Sequence, residues 1–248
     1  MTALIDLLRN VHMLGNTQFL IFEIGIECNM GALHYKCPNL SEARFSSLNT
    51  SRLLNDETII RSAVLAYRDF GFVGMIAWHY YCEPTLQGDR ILNLQNRIRN
   101  EQPDARFFLL TNGTRKRWVD AHADEFDGTY TTDYSTDLHG HSLDNRRSLP
   151  RCEPNNHPCK RPYVECIFDA YGNHHPCCAD WQGKASLGNI YVEGFDDIIY
   201  RWPEFQENSI ANKWCQGCNS HFRYEPIQCV DDVSYKKIME KSNEKGIS

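Results

Sequence analysis

Apolar and polar positions in the first half of the chain follow two periodicities in turn. The run FLIFEIGIE (19–27) is mostly apolar, which favours a buried strand. In DETIIRSAVLAYRDFG (56–71) the apolar residues instead recur at helical spacing up to a glycine stop. The two patterns continue to alternate. Strands are predicted in FVGMIAWHYY (72–81), ARFFLLTNG (105–113) and GTYTTDYST (128–136), and helices in LNLQNRIRN (92–100) and RKRWVDAHADEF (115–126).

This alternation predicts an α/β fold with a parallel sheet and right-handed helical crossovers. In such sheets and barrels, ligands bind at the carboxyl ends of the strands. The opening MTALIDLLRNVHMLG (1–15) interrupts its apolar residues with Asp6, Arg9 and Asn10. It is therefore interpreted as an amphipathic first helix and not as a signal peptide or membrane span. We expect a cytoplasmic protein with no membrane partner.

The composition disfavours some binding partners and favours metal chemistry. The 248 residues carry a net charge of −6, which leaves no basic stripe for a polyanion and disfavours nucleic acid as a partner. The eleven cysteines favour metal or cluster binding, because a reducing compartment does not sustain disulfides. Seven of them fall between residues 152 and 218, in a stretch also rich in Pro, Asn and His. We place a domain boundary at this change in composition, which divides the chain into residues 1–140 and 141–248.

The loop after the first predicted strand, ECNMGALHYKCPN (27–39), holds Cys28, His34 and Cys37 at the spacing C-x5-H-x2-C. Its aromatic-x-Cys-Pro ending resembles the cluster loop of radical S-adenosylmethionine enzymes, in which three cysteines bind iron and an aromatic residue follows the middle one. Aligning Tyr35 with that aromatic residue puts His34 in place of the middle cysteine. The resemblance implies that Cys28, His34 and Cys37 hold a [4Fe–4S] cluster, with Tyr35 beside S-adenosylmethionine. The alternatives are a solvated His34 and a ligand from elsewhere, with Cys82 the nearest by motif position.

Two further segments at predicted strand ends support the resemblance. YYCEP (80–84) is similar to the family's G-G-E-P segment, which contacts the amino group of the methionine moiety, although a cysteine stands where glycine is usual. TNGT (111–114) is similar to the segment that approaches the ribose. Each is weak alone, since TNG is also an ordinary turn, but the order and placement of the two are specific. The resemblance implies the following cofactor-binding residues besides Tyr35: Cys82, Glu83, Pro84, Thr111, Asn112 and Gly113.

The second part of the chain resembles the C-terminal auxiliary cluster domain of these enzymes, called SPASM or twitch. The resemblance implies four thiolate ligands for a second [4Fe–4S] cluster, namely Cys159, Cys177, Cys215 and Cys218. PYVECIFDA (162–170) and HHPCC (174–178), on either side of the YGN turn, predict a hairpin, and FDDIIYRWPEF (195–205) predicts a helix. Structural zinc at the same four cysteines is the alternative.

The other cysteines are not interpreted as iron ligands, and four histidines are not assigned to a site. Free cysteine packs as a small hydrophobe, so these positions are expected to be core or surface thiols: Cys82, Cys152, Cys166, Cys178 and Cys229. Four histidines in polar stretches are expected at the surface: His139, His141, His174 and His175.

The resemblance implies a partial (β/α) barrel followed by a small cluster-binding domain with a hairpin and a helix. Few residues separate the fourth predicted strand from Cys159, so at least one strand–helix unit is lost or remodelled. The family's cofactors, two [4Fe–4S] clusters and S-adenosylmethionine, generate a 5′-deoxyadenosyl radical that abstracts hydrogen from the substrate. An external low-potential donor such as flavodoxin or ferredoxin supplies the electron.

The length and the single auxiliary cluster resemble the small dehydrogenases that oxidise an aminocyclitol alcohol. We therefore expect oxidation of a small molecule or short peptide, with the auxiliary cluster as electron acceptor. Two alternatives stay open: an epimerase that donates hydrogen from Cys82, Cys166 or Cys178, and a degenerate, non-catalytic iron–sulfur protein. The second follows from His34, because imidazole in place of thiolate raises the potential of a cluster and opposes reductive cleavage.

Overall fold

The structure, a computed structural model, describes residues 13–29, 52–131, 161–178, 180 and 182–208. Within these ranges the strands are β1 (Phe19–Phe22), β2 (Met75–Trp78), β3 (Arg106–Thr111), β4 (Gly128–Thr131), β5 (Glu165–Phe168) and β6 (His174–His175). The α-helices are α1 (Asp56–Asp69), α2 (Gly88–Glu101), α3 (Lys116–Ala121), α4 (Arg161–Val164) and α5 (Phe195–Asn208). Short 3₁₀ helices cover Pro84–Gln87 and Ala123–Glu125.

The strands form one six-stranded sheet in the order β4-β3-β2-β1-β5-β6. Every pairing is parallel except that of β5 with β6, so the predicted parallel α/β class is confirmed, as is the hairpin. β1 lies in the middle, with Phe22 opposite Trp78 of β2 on one side and opposite Phe168 of β5 on the other. The three strand ends therefore meet beside one another at the carboxyl edge.

The two faces of the sheet carry different layers. Successive strand residues point to opposite faces, so Leu20 and Phe22 join the large core packed against the helices, while Phe19 and Ile21 join a smaller cluster on the other face. That smaller cluster, here called the inner face, also contains Met75, Ala77, Tyr80, Phe108 and Ile167. A sheet with helices on one face and an apolar lining on the other is the arrangement of a partial barrel.

The helices begin and end where their local chemistry dictates. The side chain of Asn55 accepts a hydrogen bond from the Thr58 amide at 2.8 Å and so caps α1, and Gly71 follows its end with φ 66°. α2 begins four residues before the predicted pattern, because the 3₁₀ turn that Pro84 starts runs directly into it. The predicted helix in 195–205 is confirmed and extends to Asn208, and its Trp202 is fully buried.

The predicted domain division is not tested, because residues 132–160 lie outside the described part of the chain. The sheet itself crosses that division, since β5 pairs with β1. The predicted first helix lies almost wholly outside the described residues as well. In the described part of the chain, no helix is long and apolar enough to cross a bilayer.

Candidate active site

The carboxyl edge of the sheet brings together the described start of the first predicted motif, residues 27–29, and the other two motifs. The loop after β1 carries Cys28, the segment after β2 carries Cys82 and Glu83, and β3 ends in Thr111. The amide of Glu83 donates to the carbonyl oxygen of Glu27 at 2.8 Å, which joins the first two segments directly. Cys28 and Cys82 are partly buried. The strand-end placement expected from the sequence is thus present in the structure.

Glu83 ties the second motif to the third. Its side chain is 2% exposed, and its Oε1 atom accepts hydrogen bonds from the Thr85 amide (3.1 Å), the Thr85 hydroxyl (2.5 Å) and the Thr111 hydroxyl (2.7 Å). Its Oε2 atom accepts from the Asn112 amide at 2.7 Å. The carboxylate is therefore engaged by protein donors. What this segment presents at the edge is its backbone and the partly buried Cys82 side chain.

A ring of three hydrogen bonds joins the third motif to the loop that carries Cys28. Asn112 Nδ2 donates to Asn29 Oδ1 at 2.8 Å, Asn29 Nδ2 donates to the Thr114 hydroxyl at 2.8 Å, and that hydroxyl donates to Asn112 Oδ1 at 2.6 Å. Gly113 between them has φ 74°, and a Cβ atom there would lie 2.6 Å from Thr131 Cγ2. The turn therefore requires glycine for steric reasons alone.

Glu23 is a buried anchor that the sequence analysis missed. It directly follows β1 and is fully buried, and its Oε1 atom accepts from the amides of Tyr81 (2.9 Å) and Cys82 (3.0 Å). Its Oε2 atom accepts from the Ala170 amide at 3.0 Å, beyond the end of β5. One carboxylate therefore fixes the loops after both neighbours of β1. The signal in the sequence is a lone carboxylate inside the apolar run FLIFEIGIE.

His79 was also missed. It directly follows β2, next to Tyr80 of the inner-face cluster, and it is partly buried. Burial lowers the pKa of His79 to about 4, a shift that the negative charge of Glu165 opposes. The imidazole is thus neutral at neutral pH. A neutral imidazole can accept a proton from a group bound on this face.

The hairpin corrects the expectation for His174 and His175, which are fully buried and not at the surface. His174 packs edge-on against Trp202 on the helix side, and burial keeps its pKa well below the usual value. His175 pairs with the buried Asp169, with Nε2 at 3.1 Å from Oδ2. Burial opposes charge on His175, but the hydrogen bond that its ring donates to Asp169 and the negative charge of that carboxylate outweigh burial and raise the pKa of His175. Their polar neighbours in the sequence gave no sign of this burial, because β6 is covered on both faces by segments distant in the chain.

The structure separates the cysteines that were proposed as hydrogen donors. Cys166 is fully buried in the helix-side core, and burial raises the pKa of its thiol strongly. It cannot reach a substrate at the carboxyl edge or on the inner face, so it is excluded as a donor. Cys82 and Cys178 are partly buried, and Cys178 packs against the inner-face cluster.

The predicted cluster ligands are only partly visible. Cys28 of the first set and Cys177 of the second are described, and both are partly buried. His34, Tyr35, Cys37, Cys159, Cys215 and Cys218 lie outside the described residues. Among the described residues, no group of three or more His, Cys, Asp or Glu side chains is placed to hold a metal ion. The donor sets, thiolate-rich in each case, suit iron–sulfur clusters chemically.

Comparison with known proteins agrees with this arrangement. Residues 159–219 match the SPASM family, an iron–sulfur cluster-binding domain. The fold is similar to that of BtrN in complex with AdoMet and 2-DOIA, with TM-score 0.58 and 18% sequence identity over 83% of this chain and 94% of BtrN. An open conformation of BtrN matches with TM-score 0.57 and 19% identity, over 85% of this chain and 98% of BtrN. None of the curated protein sequences matches the chain.

The likeness to BtrN confirms the partial-barrel fold class. The match at residues 159–219 agrees with the predicted SPASM-type iron–sulfur cluster-binding region. The roles of individual site residues, and the number of clusters, stay predictions.

Proposed function

We propose that the chain is a radical S-adenosylmethionine oxidoreductase that oxidises a small molecule or short peptide. The observation that carries this proposal is the meeting of the three motif segments at one sheet edge, joined through Glu83 and Asn112. The SPASM match at residues 159–219 and the sequence resemblance to small aminocyclitol dehydrogenases support an oxidation. An auxiliary cluster whose irons are all bound by protein thiolates suits electron transfer and not substrate binding.

The residues proposed to hold the cofactors divide into two sets. Cys28, His34 and Cys37 would hold the first [4Fe–4S] cluster, while Cys159, Cys177, Cys215 and Cys218 would hold the second. When bound, the first cluster and S-adenosylmethionine would supply the radical chemistry for removing a hydrogen atom from the substrate.

The described side chains position this chemistry. Glu23 holds the backbone at Cys82, and Glu83 holds the end of β3, so the protein's own hydrogen bonds fix the segments after β2 and β3. Such preorganisation lowers the entropy cost of binding, because these loops do not have to be ordered when the cofactor binds. The apolar inner face excludes water from a substrate bound there, and the neutral His79 at its rim can accept a proton. We propose that an external flavodoxin or ferredoxin delivers the electron for each turnover.

Anaerobic reconstitution tests the proposal. We expect about eight irons per chain as two clusters, and formation of 5′-deoxyadenosine when S-adenosylmethionine and a strong reductant are added. Zinc at the second set, with four irons or fewer, would refute the auxiliary cluster. Two clusters without any 5′-deoxyadenosine would instead support the non-catalytic electron-transfer protein, which the histidine in the first loop favours.

The proposed ligand His34 has its own test. A nitrogen ligand should give a strong nitrogen coupling in pulsed electron resonance of the reduced first cluster. The His34→Cys variant should lower the cluster potential because a thiolate replaces a neutral donor, and His34→Ala should lose the first cluster or make it labile. His122→Ala is the matched control, since His122 lies at the end of α3 and bonds to the Trp118 carbonyl. Full iron content and unchanged spectra in His34→Ala would make Cys82 the ligand to test.

A further inference from the structure

The His175 ring is held at both nitrogens inside the hairpin. Its Nδ1 atom lies 2.6 Å from the carbonyl oxygen of Asp180, and its Nε2 atom lies 3.1 Å from Asp169 Oδ2. Both partners are acceptors, so each ring nitrogen donates a hydrogen bond. All three side chains are almost fully buried, with exposures of 0% for His175 and Asp169 and 1% for Asp180.

These bonds connect the end of β5 to the turn that carries Cys177. Asp169 directly follows β5 and also accepts hydrogen bonds from the amides of Tyr171 and Asn173, each at 2.9 Å, which fixes its carboxylate. On the other side, the amide of Asp180 donates to the carbonyl oxygen of Cys177 at 3.1 Å and closes a turn. His175 therefore spans from a rigid strand end to the far side of the Cys177 turn.

The far side of the turn is itself organised by Asp180. Its carboxylate accepts hydrogen bonds from the amides of Lys184 and Ala185, each at 2.8 Å. Asp180 thus accepts the hydrogen bond of His175 with its carbonyl oxygen and binds the amides of the following residues with its carboxylate. Losing the His175 contact would remove one of the bonds that fix this turn, besides the bond from the Cys178 amide to Glu165 Oε1 at 2.8 Å.

We propose that His175 is a positioning residue for Cys177, holding the Cys177–Asp180 turn against the Asp169 carboxylate so that the thiolate is presented in one geometry. The inference rests on the proposed function, in which Cys177 binds the auxiliary cluster. The two hydrogen bonds of His175 join the strand end at Asp169 to the far end of the Cys177 turn, and their fixed directions suit a positioning role.

The neighbouring His174 provides an internal contrast. It is equally buried, but it lies on the helix side, where it contacts Phe168 and Trp202. Its Nδ1 atom accepts only a long bond from the Leu187 amide at 3.3 Å, and its Nε2 atom has no hydrogen-bond partner. Neither nitrogen is bonded to Asp169 or Asp180. Replacing His174 therefore changes a buried histidine of the same strand without removing the hydrogen bonds of His175.

The test uses the full chain with the first cluster removed by Cys28→Ala and Cys37→Ala, reconstituted anaerobically. In His175→Gln, the amide can donate to Asp180 but then turns its oxygen towards the Asp169 carboxylate. We expect iron loss to a chelator to accelerate at least tenfold and the electron resonance spectrum of the reduced cluster to change. The control His174→Gln should retain the parent spectrum and rate.

A rescue variant separates positioning from general destabilisation. In Asp169→Asn combined with His175→Gln, the Asn amide can donate to the Gln oxygen, and the Gln amide can still donate to Asp180. This uncharged bridge should return the chelator rate to within threefold of the parent and restore the spectrum. The inference is overturned if His175→Gln matches the parent, or if the double variant loses iron as fast as His175→Gln does. If the parent itself binds no second cluster, the proposed function fails together with the inference.

Discussion

Replacing Glu23 by leucine is expected to lower the free energy of unfolding by about 3 kcal/mol or more, since leaving a buried donor unsatisfied costs about 1–3 kcal/mol. Three backbone amides, those of Tyr81, Cys82 and Ala170, would lose their acceptor at once. Urea unfolding of the protein without clusters, followed by far-ultraviolet circular dichroism, measures the loss. The exposed Glu27, four residues later, provides the matched control: Glu27→Leu should change stability by less than about 0.5 kcal/mol.

The Glu23→Gln variant refines this result. Its single amide oxygen can accept from the Tyr81 and Cys82 amides, but its amide group then faces the donating Ala170 amide. We expect a smaller loss of stability than in Glu23→Leu, and weaker binding of S-adenosylmethionine if the Cys82 backbone belongs to that site. Wild-type stability in Glu23→Leu would mean that the carboxylate is not the anchor of these loops.

Short-range patterns predicted much of the fold. α1 was foreseen because its apolar spacing and the glycine stop at Gly71 agree, and the hairpin because a turn sequence separates two short strand patterns. The pairing of β5 with β1 could not be foreseen, since no local signal specifies which strand a distant segment will join. The same limit explains why the sequence showed His175 as polar and exposed, although distant segments cover it.

At the carboxyl edge, too, the sequence indicated the motif residues but not the residues that they contact. The sequence indicated Glu83 and the TNG segment separately, from their resemblance and from their positions after predicted strands. It could not indicate that the Glu83 carboxylate bonds to Thr111 and Asn112, because that contact depends on the register of β2 with β3. Nor could it indicate that Glu23 serves the loops on both sides of β1. The contacts that fix the site are thus long-range in sequence, even where the residues themselves stand in recognisable motifs.

Replacing Glu83 by alanine is expected to weaken binding of S-adenosylmethionine at least tenfold while the iron content of both clusters stays at the wild-type value. The carboxylate accepts four hydrogen bonds and holds the end of β2 against the end of β3. Without it, the Asn112 amide and the Thr111 hydroxyl lose their partner, and the turn proposed to meet the ribose loses its fixed position. Calorimetric titration of the reconstituted protein measures the affinity.

Two companion variants show whether a weakened affinity in Glu83→Ala comes from the site or from general loosening. Thr111→Val removes one of the four bonds, together with the 3.2 Å bond from the Gly113 amide to the same hydroxyl, and keeps the shape of the side chain, so it should weaken binding less than Glu83→Ala does. Glu101→Ala, at the exposed end of α2, should leave affinity unchanged. Unfolding measured on each variant at the titration temperature must show a folded protein, because a buried anchor also contributes stability. Unchanged affinity in folded Glu83→Ala would place the S-adenosylmethionine site away from the segment after β2, and the resemblance of YYCEP to the family's segment would then have to be given up.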